Sequence, residues 1–242
     1  MKTQRFYLKT LLSLSAVILL ATTVSAGSIT GTVAYEGEAP KFREIKMDAD
    51  PICLTKHGGD AVYPQVLVLG EGNTMGNVFV HITKGLTKKD YPVPAEPIVI
   101  DQKGCMYSPH ISGVMVGQGI KILNPDGTLH NVHATPKINK EFNVAMPKFR
   151  KAITKTFDKP EFMVPLKCDV HPWMVGYVSV MEHPFYTVTK EDGKFTIDDL
   201  PAGTYEVTAW QEKLGTQIAS VIITADGDAV VTDFKFSRPT KK

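Results

Sequence analysis

The feature that most constrains this 242-residue chain is the recurrence of short β-branched and aromatic runs between clusters of Gly, Pro, Asn and Asp. They fall at Ser28 to Tyr35, Gln65 to Leu69, Val78 to Ile82, Ile98 to Ile100, Gly119 to Leu123, Tyr177 to Met181, Lys194 to Ile197, Thr204 to Trp210, Ala219 to Ile223 and Ala229 to Phe236. Such side chains fit a pleated surface, and the intervening residues supply the turns. Helical periodicity is scarce, so the pattern predicts an all-β fold of the sandwich type. Helical turns are expected only near Asp50 to His57 and around Asn139 to Val144.

The N-terminus adds a location. Lys2, Arg5 and Lys9 precede an apolar run from Leu11 to Val24 that ends in Ser25-Ala26, the layout of a signal peptide over residues 1–26. The expectation is a periplasmic or extracellular protein. Cleavage would remove three of 27 basic residues and none of the 25 acidic ones, leaving a slightly negative chain. That balance argues against a nucleic-acid partner, which leaves a basic stripe. No later stretch approaches the roughly 20 apolar residues of a membrane span.

Chemistry concentrates in Cys168-Asp-Val-His171-Pro-Trp-Met174. A thiolate, an imidazole and a thioether on one tight loop are soft or borderline ligands that suit copper better than calcium or magnesium. A further imidazole has to come from elsewhere, and His130, after the turn Asn124-Pro-Asp-Gly127, is the candidate. The three cysteines are an odd number, so at least one is a free thiol, a ligand or an intermolecular partner. Cys53 and Cys105 either form a disulfide or join His57 and His110 in a second metal site; sequence separation leaves both open. No Cys-x-x-Cys-His attachment motif for c-type haem occurs.

Two resemblances add to this. The stretch Pro109-His-Ile-Ser-Gly-Val-Met-Val-Gly-Gln-Gly-Ile-Lys-Ile-Leu-Asn124, followed by His130-Asn-Val132 and the Cys168 loop, resembles the cupredoxins, most closely their amicyanin and plastocyanin branch. The likeness implies a Greek-key sandwich over residues 91–184 and one copper ion. His130, Cys168 and His171 would form its trigonal plane, and Met174 would be a long axial ligand. It also implies that Asn131 ties the ligand loops together, and that His171 lies at a surface edge within an apolar collar of Val170, Pro172 and Trp173. One loop cysteine is too few for a dinuclear copper-A centre. At the C-terminal end, Thr189 to Val207, with its Asp-Gly and Pro-Ala-Gly turns, resembles the carboxypeptidase regulatory-like (transthyretin-like) sandwich. Ile29-Thr-Gly-Thr-Val-Ala-Tyr-Glu-Gly-Glu-Ala-Pro40 fits the opening strand of that family. A second sandwich is therefore expected from residues 27–90 and 185–238, with the copper domain inserted between them.

The function that follows is outer-sphere electron transfer by a mononuclear copper protein, not an enzyme, serving a redox partner such as a c-type cytochrome or an oxidoreductase. A copper carrier or chaperone would use the same donors. The second sandwich admits a non-redox carbohydrate-binding or adhesion module. His133 reads as a polar neighbour of the site, His81 and His183 as ordinary strand-end histidines, and Trp210 as a core residue of the second sandwich.

Overall fold

The computed structural model describes residues 26–238, so the leader expected over residues 1–26 lies, but for Ala26, outside them. The strands in chain order are β1 (Gly27–Glu36), β2 (Val68–Leu69), β3 (Met75–Gly76), β4 (Phe79–Lys84), β5 (Ile98–Asp101), β6 (Ile111–Met115), β7 (Ile120–Leu123), β8 (His130–Ala134) and β9 (Phe142–Met146). They continue as β10 (Ala152–Lys155), β11 (Glu161–Lys167), β12 (Val175–Met181), β13 (Tyr186–Val188), β14 (Lys194–Leu200), β15 (Gly203–Gln211), β16 (Gly215–Ile223), β17 (Val230–Val231) and β18 (Phe234–Ser237). One α-helix, α1 (Pro51–Lys56), stands where Asp50 to His57 was expected to turn.

The fold is all-β. Strands from residues 98–181 make two sheets, ordered β6-β12-β11-β8-β9 and β10-β7-β5. Ile100, Ile120, Ile122, Val132, Val164, Leu166 and Val178 fill the space between them. Strands from both ends of the chain make two more sheets. One is ordered β14-β1-β17, with β18 also paired to β1, and the other β13-β4-β15-β16. Along β15, Tyr205, Val207 and Ala209 share one buried face, and they pack with Ile29, Val33, Val80, Ile82 and Phe236.

The structure corrects two local readings. Asn139 to Val144 makes no helical turn; Phe142, Val144 and Met146 alternate with exposed Asn143 and Ala145, and β9 pairs antiparallel with β8. A period of two places those three apolar side chains on one face, which a helix would not. Trp210 is half-buried rather than central. It packs edge-on against Phe162 and Tyr177 of the middle sheets, at centroid distances of 5.7 and 5.8 Å, where the two pairs of sheets meet.

Candidate metal centre

The site is built where β8 begins and where β11 hands the chain to β12. β11 pairs antiparallel with both strands, Lys167 opposite His133 and opposite Val175. Cys168 therefore emerges beside the start of β8. The loop back to β12 is closed by its own backbone: Cys168 N donates to Met174 O at 3.2 Å, and Met174 N to His171 O at 2.9 Å. The N-terminal position of His130 in β8 brings its ring to the same place.

Three of the four sequence-selected donors converge. His130 Nδ1 and His171 Nδ1 lie 3.0 Å apart, and Cys168 Sγ lies 3.7 Å from His171 Nδ1. All three residues are at most 2% exposed. Met174 is fully buried in the same core and is joined to the other two loop donors through the backbone bonds just given. Donors this close together could be spanned by one ion through bonds of about 2.0 Å to imidazole and about 2.3 Å to thiolate. The donor set thus fits a small, soft-tolerant cation such as copper.

The far side of each imidazole is held by a carboxylate. His130 Nε2 meets Asp126 Oδ2 at 3.1 Å, and His171 Nε2 meets Asp50 Oδ2 at 3.1 Å. A carboxylate accepts from Nε2–H, which leaves the Nδ1 lone pair facing the other donors. Asp126 also accepts from Gly104 N at 2.9 Å and Cys105 N at 2.7 Å, and faces Lys56 Nζ at 3.6 Å. Gly104 has φ +68, a backbone conformation open to glycine, and this turn aims both amides at the carboxylate. Asp50 caps α1 by accepting from Ile52 N at 2.8 Å, and it also accepts from Thr128 Oγ1 at 2.8 Å.

These contacts set the protonation states. Burial pushes the Asp126 carboxyl up, but hydrogen bonds from His130 and from the Cys105 and Gly104 amides outweigh it and hold it at about 2. Burial likewise opposes ionisation of Cys168, yet hydrogen bonding with His130 and with backbone amides lowers its thiol. Burial lowers His171 despite Asp50, keeping its imidazole neutral. Burial opposes protonation of His130, but hydrogen bonds with Asp126 and Cys168 raise it, so a cation bound here would displace a proton from that imidazole as well as from the thiol.

Asn131 ties the loops together. Its Oδ1 accepts from Asp169 N at 2.7 Å and from Cys168 Sγ at 3.4 Å, while Nδ2 donates to Asn143 Oδ1 at 2.7 Å and Asp169 Oδ2 at 3.0 Å. His133 lies outside the cluster, bonded to Asp169 and Glu141.

One open alternative is settled and one expectation changes. Cys53 and Cys105 form a disulfide; His57 bonds Gly104 O at 2.7 Å and His110 bonds Val175 O and Glu212, so no second centre forms from those residues. His171 is not at a surface edge. It is 2% exposed because α1 lies over it, bringing Asp50 to its Nε2 and Cys53 Sγ to within 3.5 Å of the same atom. Of the expected collar, Val170 faces out, while Trp173 packs on the His171 ring at 5.1 Å and donates Nε1–H to Cys105 O. Sequence reasoning did not select Asp50 and Asp126. Asp50-Pro51 carries an N-cap signature and Asp126 sits in a turn four residues before His130, but neither pattern tells what the carboxylate will touch.

Comparison with known proteins gives partial likenesses. The family model for polysaccharide lyase family 4, domain II, matches residues 174–231; the matched family is that one rather than the expected carboxypeptidase regulatory-like one. No curated protein matches. Among solved structures, an oxidised variant of amicyanin is 24% identical over 41% of this chain and all of its own, with a TM-score of 0.32. A purple cupredoxin from Nitrosopumilus maritimus is 26% identical over 31% of this chain and 82% of its own, at 0.28. A copper-containing nitrite reductase from Thermus scotoductus SA-01 is 19% identical over 41% of this chain, at 0.32, and the chain spans only 26% of that protein.

Proposed function

We propose that the chain is an exported protein that holds one copper ion with His130, Cys168, His171 and Met174 and passes single electrons to and from a redox protein. The observation that supports this most is the meeting of two imidazole Nδ1 atoms and the Cys168 Sγ, at 3.0 and 3.7 Å, in a buried place. Copper held there would supply a one-electron Cu(I)/Cu(II) couple.

The chain's own residues suit that task. Asp126 and Asp50 fix the tautomer and tilt of the two imidazoles, and Asn131 fixes the Cys168 loop against β8. A donor set held from behind by hydrogen bonds rearranges little when its charge changes. Burial favours keeping an ion over delivering one, since a receiving protein could not reach donors that are at most 2% exposed. A partner such as a c-type cytochrome would meet His171 across Asp50 and α1.

Adding Cu(II) to the purified protein is expected to produce an intense visible absorption from thiolate-to-copper charge transfer, at one equivalent. Cys168→Ser is expected to abolish it. A protein that stays colourless and takes up no copper overturns the reading.

A further inference from the structure

β16 is the outermost strand of the β13-β4-β15-β16 sheet. All nine of its residues pair with β15 on one side, and among the described residues no strand pairs with its other side. Its sequence, Gly-Thr-Gln-Ile-Ala-Ser-Val-Ile-Ile, contains neither charge nor proline. Val221 and Ile223 point into the core, whereas Ile218 and Ile222 point out and are 61% and 64% exposed. A free row of backbone donors and acceptors on a long, uncharged strand is a template for another strand, and proteins usually blunt such edges. The outer edge at β14 shows the contrast: it carries Lys194, Asp198 and Asp199, the last at φ +60.

We propose that β16 pairs antiparallel with β16 of a second copy of this chain across a twofold axis, joining two four-stranded sheets into one of eight. A twofold contact matches a surface to itself, and two independent features suit one here. With the axis at Ser220, Ile218 of each copy stands opposite Ile222 of the other on the outward face. Beyond the strand ends, the turn that carries Lys213 and the turn that carries Asp226 and Asp228 flank β16 at opposite ends, so an antiparallel pair brings the basic turn of each copy toward the acidic turn of the other. All three charged side chains are exposed, so the symmetric pairing gains opposite charge at both ends as well as cross-strand isoleucine contacts. Shifting the axis by one residue in either direction sets one isoleucine against Ser220 and the other against Thr216 or Thr224, so both isoleucine pairs are lost.

Sedimentation velocity of the purified protein from low to high micromolar concentration tests this. A dimer is expected, and Ile218→Lys with Ile222→Lys, both at outward positions, is expected to raise its dissociation constant about tenfold or more. Lys213→Glu is expected to weaken the dimer at low salt, and adding Asp226→Lys and Asp228→Lys to restore it. The charge swap lies in surface turns, so it decides the matter even if the isoleucine variant folds poorly. A protein that remains monomeric at high micromolar concentration, or a dimer indifferent to both sets of changes, overturns the proposal.

Discussion

The middle sheets and the outer sheets are both packed face to face, yet they fill their interiors differently. Between β4, β15 and β1 the core is aliphatic and aromatic throughout, from Ile29 and Val33 to Val207 and Phe236. Between the middle sheets the apolar layer opens at one end onto His130, His171, Asp126 and Asn131, all buried, with Cys168 and a disulfide beside them. A buried polar cluster rigidifies a fold when every member has a partner and destabilises it when one is missing. One region therefore holds its shape mainly by packing, with Thr189 and Gln211 bonded to backbone carbonyls, whereas the other adds a polar cluster and a covalent bridge.

The widest expected separation between them comes from the Cys53–Cys105 bridge, which ties α1 over His171 and closes a separation of 52 residues. Replacing both cysteines by serine is expected to cost about 4 kcal/mol in the metal-free protein by loop-closure entropy. The loss should fall on the middle sheets, seen as earlier exchange of amides in β8, β11 and β12 while β15 keeps its protection. Copper loaded into that variant should also leave for a chelator faster, because the cover over His171 is no longer anchored. Equal protection in both regions, with an unchanged chelation rate, would place the dependence elsewhere.

Acid reverses the roles. His81, in β4, is 8% exposed, stacks on Phe162 at 5.2 Å and has no hydrogen-bond partner at Nδ1. Burial, aided by nearby His183, lowers it to about 4 from an ordinary 6.5. A histidine whose folded value is depressed releases its proton on folding, so its contribution is complete above about pH 6.5 and is lost as pH falls toward 4. The loss approaches about 3 kcal/mol at the acid end. Denaturant titrations across that range should show the slope in the intact protein, and His81→Leu should remove most of it. A slope that survives the substitution assigns the acid sensitivity to other groups.

His81 also marks the limit of what the chain discloses in one dimension. Strand patterning located most of β1, β4, β7, β12, β15 and β16, because alternating burial is written into adjacent residues. The candidate donors Cys168, His171 and Met174 stand together in the sequence, since one short loop carries them. β9 was misread because Phe142, Val144 and Met146 sit among turn residues. Asp50 was overlooked as a partner of His171 because 121 residues separate the two. His81 looked like a strand-end residue because nothing local shows that Phe162 of another sheet will cover it. What escaped detection is the contact made only when distant segments meet.

The smallest effect concerns such a contact. His110 Nε2 and Glu212 Oε2 lie 2.8 Å apart, each side chain 5% exposed, joining the residue before β6 to the turn between β15 and β16. His110 Nδ1 also reaches Val175 O at 2.9 Å, one residue beyond Met174, so the link runs from the outer sheets to the end of the metal-site loop. Removing either partner leaves a buried polar group unpaired and should cost about 1–3 kcal/mol. A double-mutant cycle of His110→Ala and Glu212→Ala should then return a coupling of about 1 kcal/mol. If the two regions unfold as one unit, each single variant should lower a shared transition, and the coupling should appear whichever region is monitored. A coupling near zero, with two separate transitions, would mean that the two interiors are independent in energy as well as in composition, and that the metal-site loop takes no support from the sheets beside it.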